Sequence, residues 1–464
     1  MEQKKRKFTA PHVYVLLLVL ILFFALLSYV IPAGTFEMTT AGGREVIDPA
    51  TFQYTESTPV TLMQFLTALP RGLQQSAQII FLIFIVGGSF AVLQETKAID
   101  AGVGRLTRAL KDKAILLIPL MMTLLSLGAA AFGMSEELMV FIPIFISVML
   151  AAGYDSMTGT AIVLASSGIG FAGAFANPFT VQVSQSIAEI PVLSGMWYRI
   201  LILIVMLAVG VWYVLRYARR VQKDPTLSPV YEIDREREDM IDLNDLPPFG
   251  EREKVVLLIF FAALALLLVG SLKLGWWLDE VCGLFIGMAI LVAFVSRMGL
   301  NKFGEVFARG MADIAAGALV VGFASGILVV MNDSNILNTI LHGASVLLGS
   351  FPAAIAAVGM YIFQCLLNFL VPSGSGQAAM SMPILAPLAD MVHVTRQTSC
   401  IAFQLGDAIS NAFTPTAGSL MAGLALAKIP WSKWAKWVAP LIGLEYLIGL
   451  VFVVIAQVIR LGPF

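Results

Sequence analysis

Hydrophobic residues in this chain come in long blocks separated by short polar gaps. Apolar runs at 12–32, 78–94, 195–216, 254–272, 279–296, 314–331 and 437–459 each approach the roughly 20 residues that carry a helix across a bilayer. Four further segments, 114–133, 138–152, 351–371 and 377–392, form two pairs split by polar, glycine-rich tips. Two others, 157–190 and 397–428, are interrupted midway. The run that follows Lys4-Lys5-Arg6-Lys7 exceeds the roughly 7–15 residues of a signal core and lacks a small-x-small cleavage site. It reads as the first transmembrane helix.

The pattern occurs twice. Arg71-Gly72-Leu73 returns as Arg309-Gly310-Met311 at an offset of 238, Leu93-Gln94-Glu95-Thr96 as Met331-Asn332-Asp333-Ser334, and Ser135 as Ser373. Ala174-Phe175-Ala176-Asn177-Pro178-Phe179-Thr180 matches Ala408-Ile409-Ser410-Asn411-Ala412-Phe413-Thr414 at offset 234. Matched interruptions in two membrane halves are the best sequence pointer to a transporter's binding site. The chain divides into a membrane repeat at 1–216, a cytoplasmic linker at 217–253, and a linker helix with a second repeat at 254–464.

Composition agrees. Of 464 residues, 58% are hydrophobic and 13% charged, with a net charge of −1 and a mean hydropathy of +0.87. Soluble domains are about 45–50% apolar and about 25% charged. The charge balance offers nothing to nucleic acid. Cys282, Cys365 and Cys400 lie in apolar stretches without metal spacing, and the histidines at 12, 342 and 393 are scattered. Gly168-x-Gly170-x-x-Gly173 spells a dinucleotide fingerprint but follows no strand. Gly322-x-x-x-Gly326 reads as helix packing. Trp276, Trp277, Trp431, Trp434 and Trp437 read as interfacial belts, and Arg71 and Arg309 as interface residues.

Lys and Arg in short loops set orientation. The N-terminus is basic and inside, as is 95–113 with Lys97, Arg105, Arg108, Lys111 and Lys113. Segment 332–350 has neither residue and is outside, although it corresponds to 95–113. Segment 182–197 has none and is outside, while its counterpart 428–436 holds Lys428, Lys433 and Lys436 and is inside. The expected fold is therefore an all-α polytopic membrane protein of two inverted-topology repeats. The extra span 254–272 supplies the flip, and the C-terminus falls outside. Each repeat carries a re-entrant hairpin (114–152 and 351–392) and a broken helix (157–190 and 397–428). Irregular backbone at membrane depth must be surrounded by protein or a water-filled cavity, so tips and breaks should meet inside.

The first tip offers Ser135, Glu136 and Glu137; the second offers Ser373, Gly374, Ser375 and Gln377. The breaks offer Asn177 and Thr180, then Gln404, Asp407, Asn411, Thr414 and Thr416. Loosened carbonyls and half-helix ends coordinate cations or cradle carboxylates. Capping alone also accounts for Glu136 and Glu137 at a helix start, and back-bonding to a helix carbonyl for many of the hydroxyls. Glu445, in the last span, is divided between a pathway role and a structural one. No Lys or Arg lies between Lys113 and Arg199, or between Arg396 and Lys428. The expected pocket is thus acidic, without a fixed cation.

Phe132-Gly133-Met134-Ser135-Glu136-Glu137, Val371 through Ala379, Phe403-Gln404-Leu405-Gly406-Asp407 and Asn411 through Thr416 resemble the YfcC branch of the anaerobic C4-dicarboxylate carrier family, across essentially the whole chain. The resemblance implies membership of the ion transporter superfamily, with opposed hairpins, a homodimeric scaffold and an elevator-like moving domain in the cytoplasmic membrane. It implies basic amino acid antiport, including arginine/ornithine exchange, whereas the parent family name points to succinate or fumarate. Relatives with Ser-Asn-Thr signatures at tips and breaks bind sodium. Here Met134-Ser135-Glu136-Glu137 and Ser373-Gly374-Ser375-Gly376 depart from that signature. No metal is assigned; sodium near Asn177, Thr180, Asn411 and Thr414, or a proton, remains the candidate coupling ion.

The acids favour a cationic substrate, because like charges about 4 Å apart repel by roughly 4 kcal/mol at an effective dielectric of 20. Its side-chain charge would face Glu136, Glu137 or Asp407, and its α-carboxylate Ser373, Ser375, Asn411 and half-helix N-termini. A small-carboxylate carrier coupled to sodium or protons is the alternative, and a channel the remote one. No nucleophile–base pair suggests an enzyme.

Overall fold

The computed structural model describes residues 13–462 apart from 42–43, 100, 103–110, 178, 238–248, 271–273, 275 and 277. The basic residues Arg105 and Arg108 lie outside the described residues, as do Trp277, Pro178 and the side chain of Glu137. The described fold is helical. Helices α1 (Val13–Leu27), α2 (Leu62–Gln75), α3 (Ala77–Glu95), α4 (Leu117–Phe132), α5 (Glu136–Met139), α6 (Ile142–Ala151), α7 (Ser156–Ala172), α8 (Val181–Ile187) and α9 (Met196–Lys223) form the first half. The short α10 (Tyr231–Arg235) and α11 (Glu251–Val269) follow. The second half holds α12 (Leu278–Val295), α13 (Leu300–Asp333), α14 (Ile336–Leu348), α15 (Ala353–Leu370), α16 (Gly374–Met391), α17 (Arg396–Asn411), α18 (Gly418–Ala427) and α19 (Trp431–Val458).

Among the described residues, six helical stretches are long and apolar enough to cross a membrane: α3, Lys113–Phe132 (which contains α4), α9, α12, α15 and α19. A seventh, α13, bends by 43°. Two antiparallel ribbons, Gly34–Thr35 with Gln53–Tyr54 and Met38–Ala41 with Arg44–Ile47, interrupt the chain after α1.

Three elements differ from the sequence reading. An amphipathic helix, α2, precedes the second span. Thr61 and Gln64 start it with a reciprocal capping box, and Pro70 lies inside it. Charged residues at 302–313 hid the first half of α13, which is continuous from Leu300. The linker drawn from residue 217 begins inside α9, which runs on to Lys223. It then docks: Asp234 Oδ2 accepts from the Ser156 backbone N–H at 2.9 Å, and Oδ1 pairs with Arg237 Nε at 3.0 Å. Burial pushes the Asp234 carboxyl above its ordinary range, and the Ser156 N–H pulls it back.

Matching elements of the two halves touch reciprocally. Arg71 pairs with Asp333, while Glu95 pairs with Lys302 at 2.7 Å and feels the charge of Arg309. Arg71 and Arg309, and Glu95 and Asp333, are counterparts at offset 238. Thr58, just ahead of α2, donates to Ser334 O at 3.4 Å, so the start of α2 lies beside the end of α13, and the end of α3 beside its start. The two run antiparallel, so residues just past Glu95 and just past Asp333 leave at opposite ends. Glycines allow the close approach. A Cβ on Gly72 would lie 2.6 Å from Gly326 N, and one on Gly310 would lie 2.7 Å from Gly87 O and 2.9 Å from Gly88 Cα.

Backbone atoms cannot yield as side-chain tips do, and overpacking typically costs about 1–3 kcal/mol. Gly310→Ala should lower the thermal midpoint of the purified protein. Gly343→Ala, whose Cβ meets nothing within 4 Å, should leave it unchanged or raise it. Equal midpoints would contradict this packing.

Candidate functional site

Two hairpins and two broken helices converge in the interior. Helix α4 stops at Gly133, which takes a left-handed φ of 75°, and the one-turn α5 begins at Glu136 after Ser135. On the other side α15 ends at Leu370. Ser373 then caps α16, its hydroxyl accepting from Gly376 N at 3.3 Å. Helix α7 gives way after Ala172 and resumes as α8 at Val181; α17 ends at Asn411 and resumes as α18 at Gly418.

The loosened backbone is satisfied by neighbouring helices, as membrane depth demands. Phe175 N and Ala176 N both donate to Ala130 O at 3.2 Å, joining the first break to the first tip. Asn177 is spent locally. Its Oδ1 accepts from Phe179 N at 2.8 Å and Thr180 N at 3.2 Å, and its Nδ2 donates to Ala129 O at 3.3 Å. Gln404 Nε2 donates to Ala172 O at 2.8 Å and Ala174 O at 2.9 Å, so α17 supports the opposite break. The second break is held from α19. Trp431 Nε1 donates to Phe413 O at 3.0 Å and Trp434 Nε1 to Ala412 O at 3.1 Å. These two indoles were expected in an interfacial belt. Trp434 is instead fully buried, because the broken helix leaves carbonyls that need donors.

Asp407 lies at the junction. Its Oδ1 accepts from Asn368 Nδ2 and Asn411 Nδ2, both at 2.9 Å. Asn368 Nδ2 also reaches Gln377 Oε1 at 3.1 Å, and Gln377 Nε2 donates to Gln364 O at 2.9 Å and Gln364 Oε1 at 2.6 Å. Asp407 Oδ2 is buried without a hydrogen-bond partner. A Cβ on Gly374 would lie 3.1 Å from it and 2.6 Å from Thr180 Cγ2. The second tip, the first break and Asp407 therefore meet at one point. Thr180 Oγ1, Asn368 Oδ1, Asn411 Oδ1, Thr414 Oγ1 and Thr416 Oγ1 are likewise buried without a partner. All of these atoms are oxygens.

The first tip reaches the same region through a cavity of about 60 Å³, with Ser135, Ser167, Asn411 and Ser419 in its wall. Glu136 opens α5, where an acid favours a helix start. Ser373 serves as a cap, Ser375 is partly exposed beside it, and Gln377 and Gln404 are fully engaged in protein hydrogen bonds.

Apart from the Asp407 junction, the interior also holds a cation. Arg199 on α9 is fully buried. It donates to Gln404 Oε1 at 2.7 Å, Ser194 O at 2.8 Å and Gln397 Oε1 at 3.0 Å. No ion pair between described residues includes it. Arg199 lies near the start of an apolar run, and the neutral amides of Gln397 and Gln404 on α17 hold its guanidinium. Asn368 and Gln364 were also missed. They stand one turn apart on the apolar α15, and a lone amide in such a helix is the signal that marks them.

Residues 10–458 match the family model described as C4-dicarboxylate anaerobic carrier. Over 492 aligned positions the chain is 34% identical to a protein of Escherichia coli (strain K12) provisionally named basic amino acid antiporter YfcC, covering 97% of each chain. Over 412 positions it is 29% identical to an uncharacterized protein of Haemophilus influenzae (strain ATCC 51907 / DSM 11121 / KW20 / Rd), covering 88% of this chain and 81% of that one. Among solved structures it resembles the YdaH transporter of Alcanivorax borkumensis at a TM-score of 0.44 and 17% identity, covering 98% of this chain and all of that one. The resemblance to MtrF of Neisseria gonorrhoeae, from a class of antimetabolite efflux pumps, has a TM-score of 0.43 at 17% identity, covering 98% and 96%.

Proposed function

The chain belongs to the C4-dicarboxylate anaerobic carrier family of membrane transporters, and from that premise we propose that it exchanges cationic amino acids such as arginine and ornithine by alternating access. The observation that carries the reading is the unpartnered buried Asp407 Oδ2, with the unpartnered oxygens of Thr180, Asn368 and Asn411 beside it. An unmet acceptor is costly, and an ammonium or guanidinium group supplies the donors these oxygens lack. The name of the Escherichia coli relative points the same way. A coupling sodium ion at Thr180, Asn411 and Thr414 would use the same oxygen chemistry; Asn177, whose amide serves the break, shapes that site from behind.

The antiparallel contact of α2–α3 with α13 supports inverted repeats, with hairpins entering from opposite faces. A cavity of about 60 Å³ has room for roughly four to six waters, far less than arginine occupies. Tips and breaks must therefore separate to admit substrate, which an elevator-like motion against a dimeric scaffold would accomplish.

A second reading rests on Arg199 and on the family description. A buried guanidinium beside Gln397 and Gln404 suits a dicarboxylate if those amides turn away. Counterflow decides between them. In proteoliposomes preloaded with ornithine, labelled arginine uptake should exceed that of empty vesicles at least tenfold, and succinate preloading should not accelerate it. Acceleration of succinate uptake by internal succinate alone would favour the second reading. Parallel runs with and without sodium read out the coupling ion.

A further inference from the structure

We propose that Glu445 is a proton-carrying site, separate from the Asp407 pocket, through which a pH gradient biases transport. Glu445 stands 14 residues from the first residue of α19 and 13 from its last, about 20 Å from either end at 1.5 Å per residue. Val438, Leu441, Ile442, Gly449, Phe452 and Val453 form the buried stripe of α19 at helical spacing, and Glu445 sits in the middle of it. It is 3% exposed. Among the described residues it has neither a hydrogen-bond nor an ion-pair partner. An ionised carboxylate with no partner at that depth is the costly state.

The groups around it are neutral. Tyr361 on α15 and Tyr446 on α19 itself lie within electrostatic reach of it, and behind them Ser410 on α17 bonds Tyr446 Oη and Cys365 O. Neither α15 nor the stretch 397–427 contains Lys or Arg. Arg396, at the start of α17, is paired with Asp390 and Glu189. Helix α9 contributes Tyr198, which bonds Phe452 O, and Arg199, held by Ser194, Gln397 and Gln404.

The residue that follows Glu445 is tied to the pocket's helix. Tyr361 Oη donates to Tyr446 O at 3.2 Å, and Tyr446 Oη shares a hydrogen bond with Ser410 Oγ at 2.8 Å. Ser410 adjoins Asn411, whose amide holds Asp407. A shift of α17 that opens the pocket would carry Ser410 and pull on Tyr446, the residue after Glu445. The carboxyl then meets water, releases one proton and becomes a carboxylate; closure requires a proton to return. Arginine and ornithine carry equal charge, so their exchange is electrically balanced without this step, and the proton adds a gradient dependence. The inference rests on the chain being a carrier, not on which substrate it carries.

The first test needs no substrate. Infrared difference spectra of the full-length protein in lipid, acid against alkaline, should show a protonated-carboxyl band that vanishes as pH rises. That band should be missing in Glu445→Gln and kept in Asp407→Asn. The second test compares two transport modes in proteoliposomes, with arginine and succinate as probes. Glu445→Gln should keep counterflow within about twofold of wild type, yet lose at least tenfold of pH-gradient-driven accumulation. Glu445→Asp should restore accumulation with a displaced pH profile. The proposal is overturned if Glu445→Gln keeps the titrating band or the full gradient response. If Glu445→Gln does not fold, Glu445→Asp decides: an unmoved pH profile overturns the proposal and a displaced one supports it. Arginine failing while succinate is carried would change the substrate assignment and leave the proton site standing.

Discussion

Asp407→Asn lowers arginine uptake by roughly 10- to 100-fold and leaves the protein at least as stable. The first effect follows from charge. Asp407 Oδ2 is the one carboxylate oxygen that is both buried and without a partner at the meeting point of the second tip and the first break. Hydrogen bonds to charged groups contribute about 1.5–3 kcal/mol, and each 1.4 kcal/mol is about tenfold in affinity. The second effect follows from burial. Removing a desolvated charge is often neutral or stabilising when its neighbours keep their bonds. Asn keeps one carbonyl oxygen for the amides of Asn368 and Asn411. Initial uptake rates at several arginine concentrations, set beside a thermal melt, separate the two effects. Wild-type uptake in this variant would remove the carboxylate from the transport reading. A collapsed melt would recast Asp407 as structural.

The elements that carry this site were legible because the membrane makes interruptions expensive. A helix broken at mid-depth must place polar or conformationally free residues where apolar ones would otherwise stand. Gly133, Asn177, Asn411 and the run from Ser373 to Gly376 therefore stood out against their surroundings. Doubling the pattern narrowed the reading, since a chance kink has no counterpart 234 residues away. Arg71–Asp333 and Glu95–Lys302 place the residues that follow α3 and α13 at opposite ends of the contact between the halves.

What escaped was whatever depends on the partner rather than the residue. Asn177 and Gln404 have the chemistry of ligands, but their amides are consumed by carbonyls of other helices, and no spacing reveals which carbonyls those will be. Arg199 is met by three neutral acceptors on a loop and on α17, which nothing in its own local sequence identifies. Trp434 is buried for the same reason. An indole beside a membrane surface and an indole filling the gap of a broken helix have the same local sequence. Helix α2 was missed because its apolar positions follow one face rather than forming a block, so hydropathy alone passes over it.

The tip of the second hairpin offers the sharpest geometric test, because a methyl group there must displace something identifiable. Gly374→Ala puts a Cβ 2.6 Å from Thr180 Cγ2 and 3.1 Å from Asp407 Oδ2. Contacts this short force the tip away from the first break, and overpacking of this kind typically costs about 1–3 kcal/mol. Uptake should fall roughly tenfold or more. Thr180→Ser removes Cγ2 and keeps the hydroxyl, so on its own it should change uptake little. Combined with Gly374→Ala it should restore much of the loss, with a coupling of about 0.5–3 kcal/mol between positions that touch. Thr180→Ala also removes Cγ2 but takes the hydroxyl with it. If Thr180 Oγ1 serves the transported cation, the pair Gly374→Ala and Thr180→Ala stays inactive where the serine pair recovers. Equal recovery by both would mean that Thr180 only fills space and that the cation is held by Asp407, Asn411 and Thr414 alone. Recovery by neither would mean that the tip and the first break are not in contact during the step that limits transport.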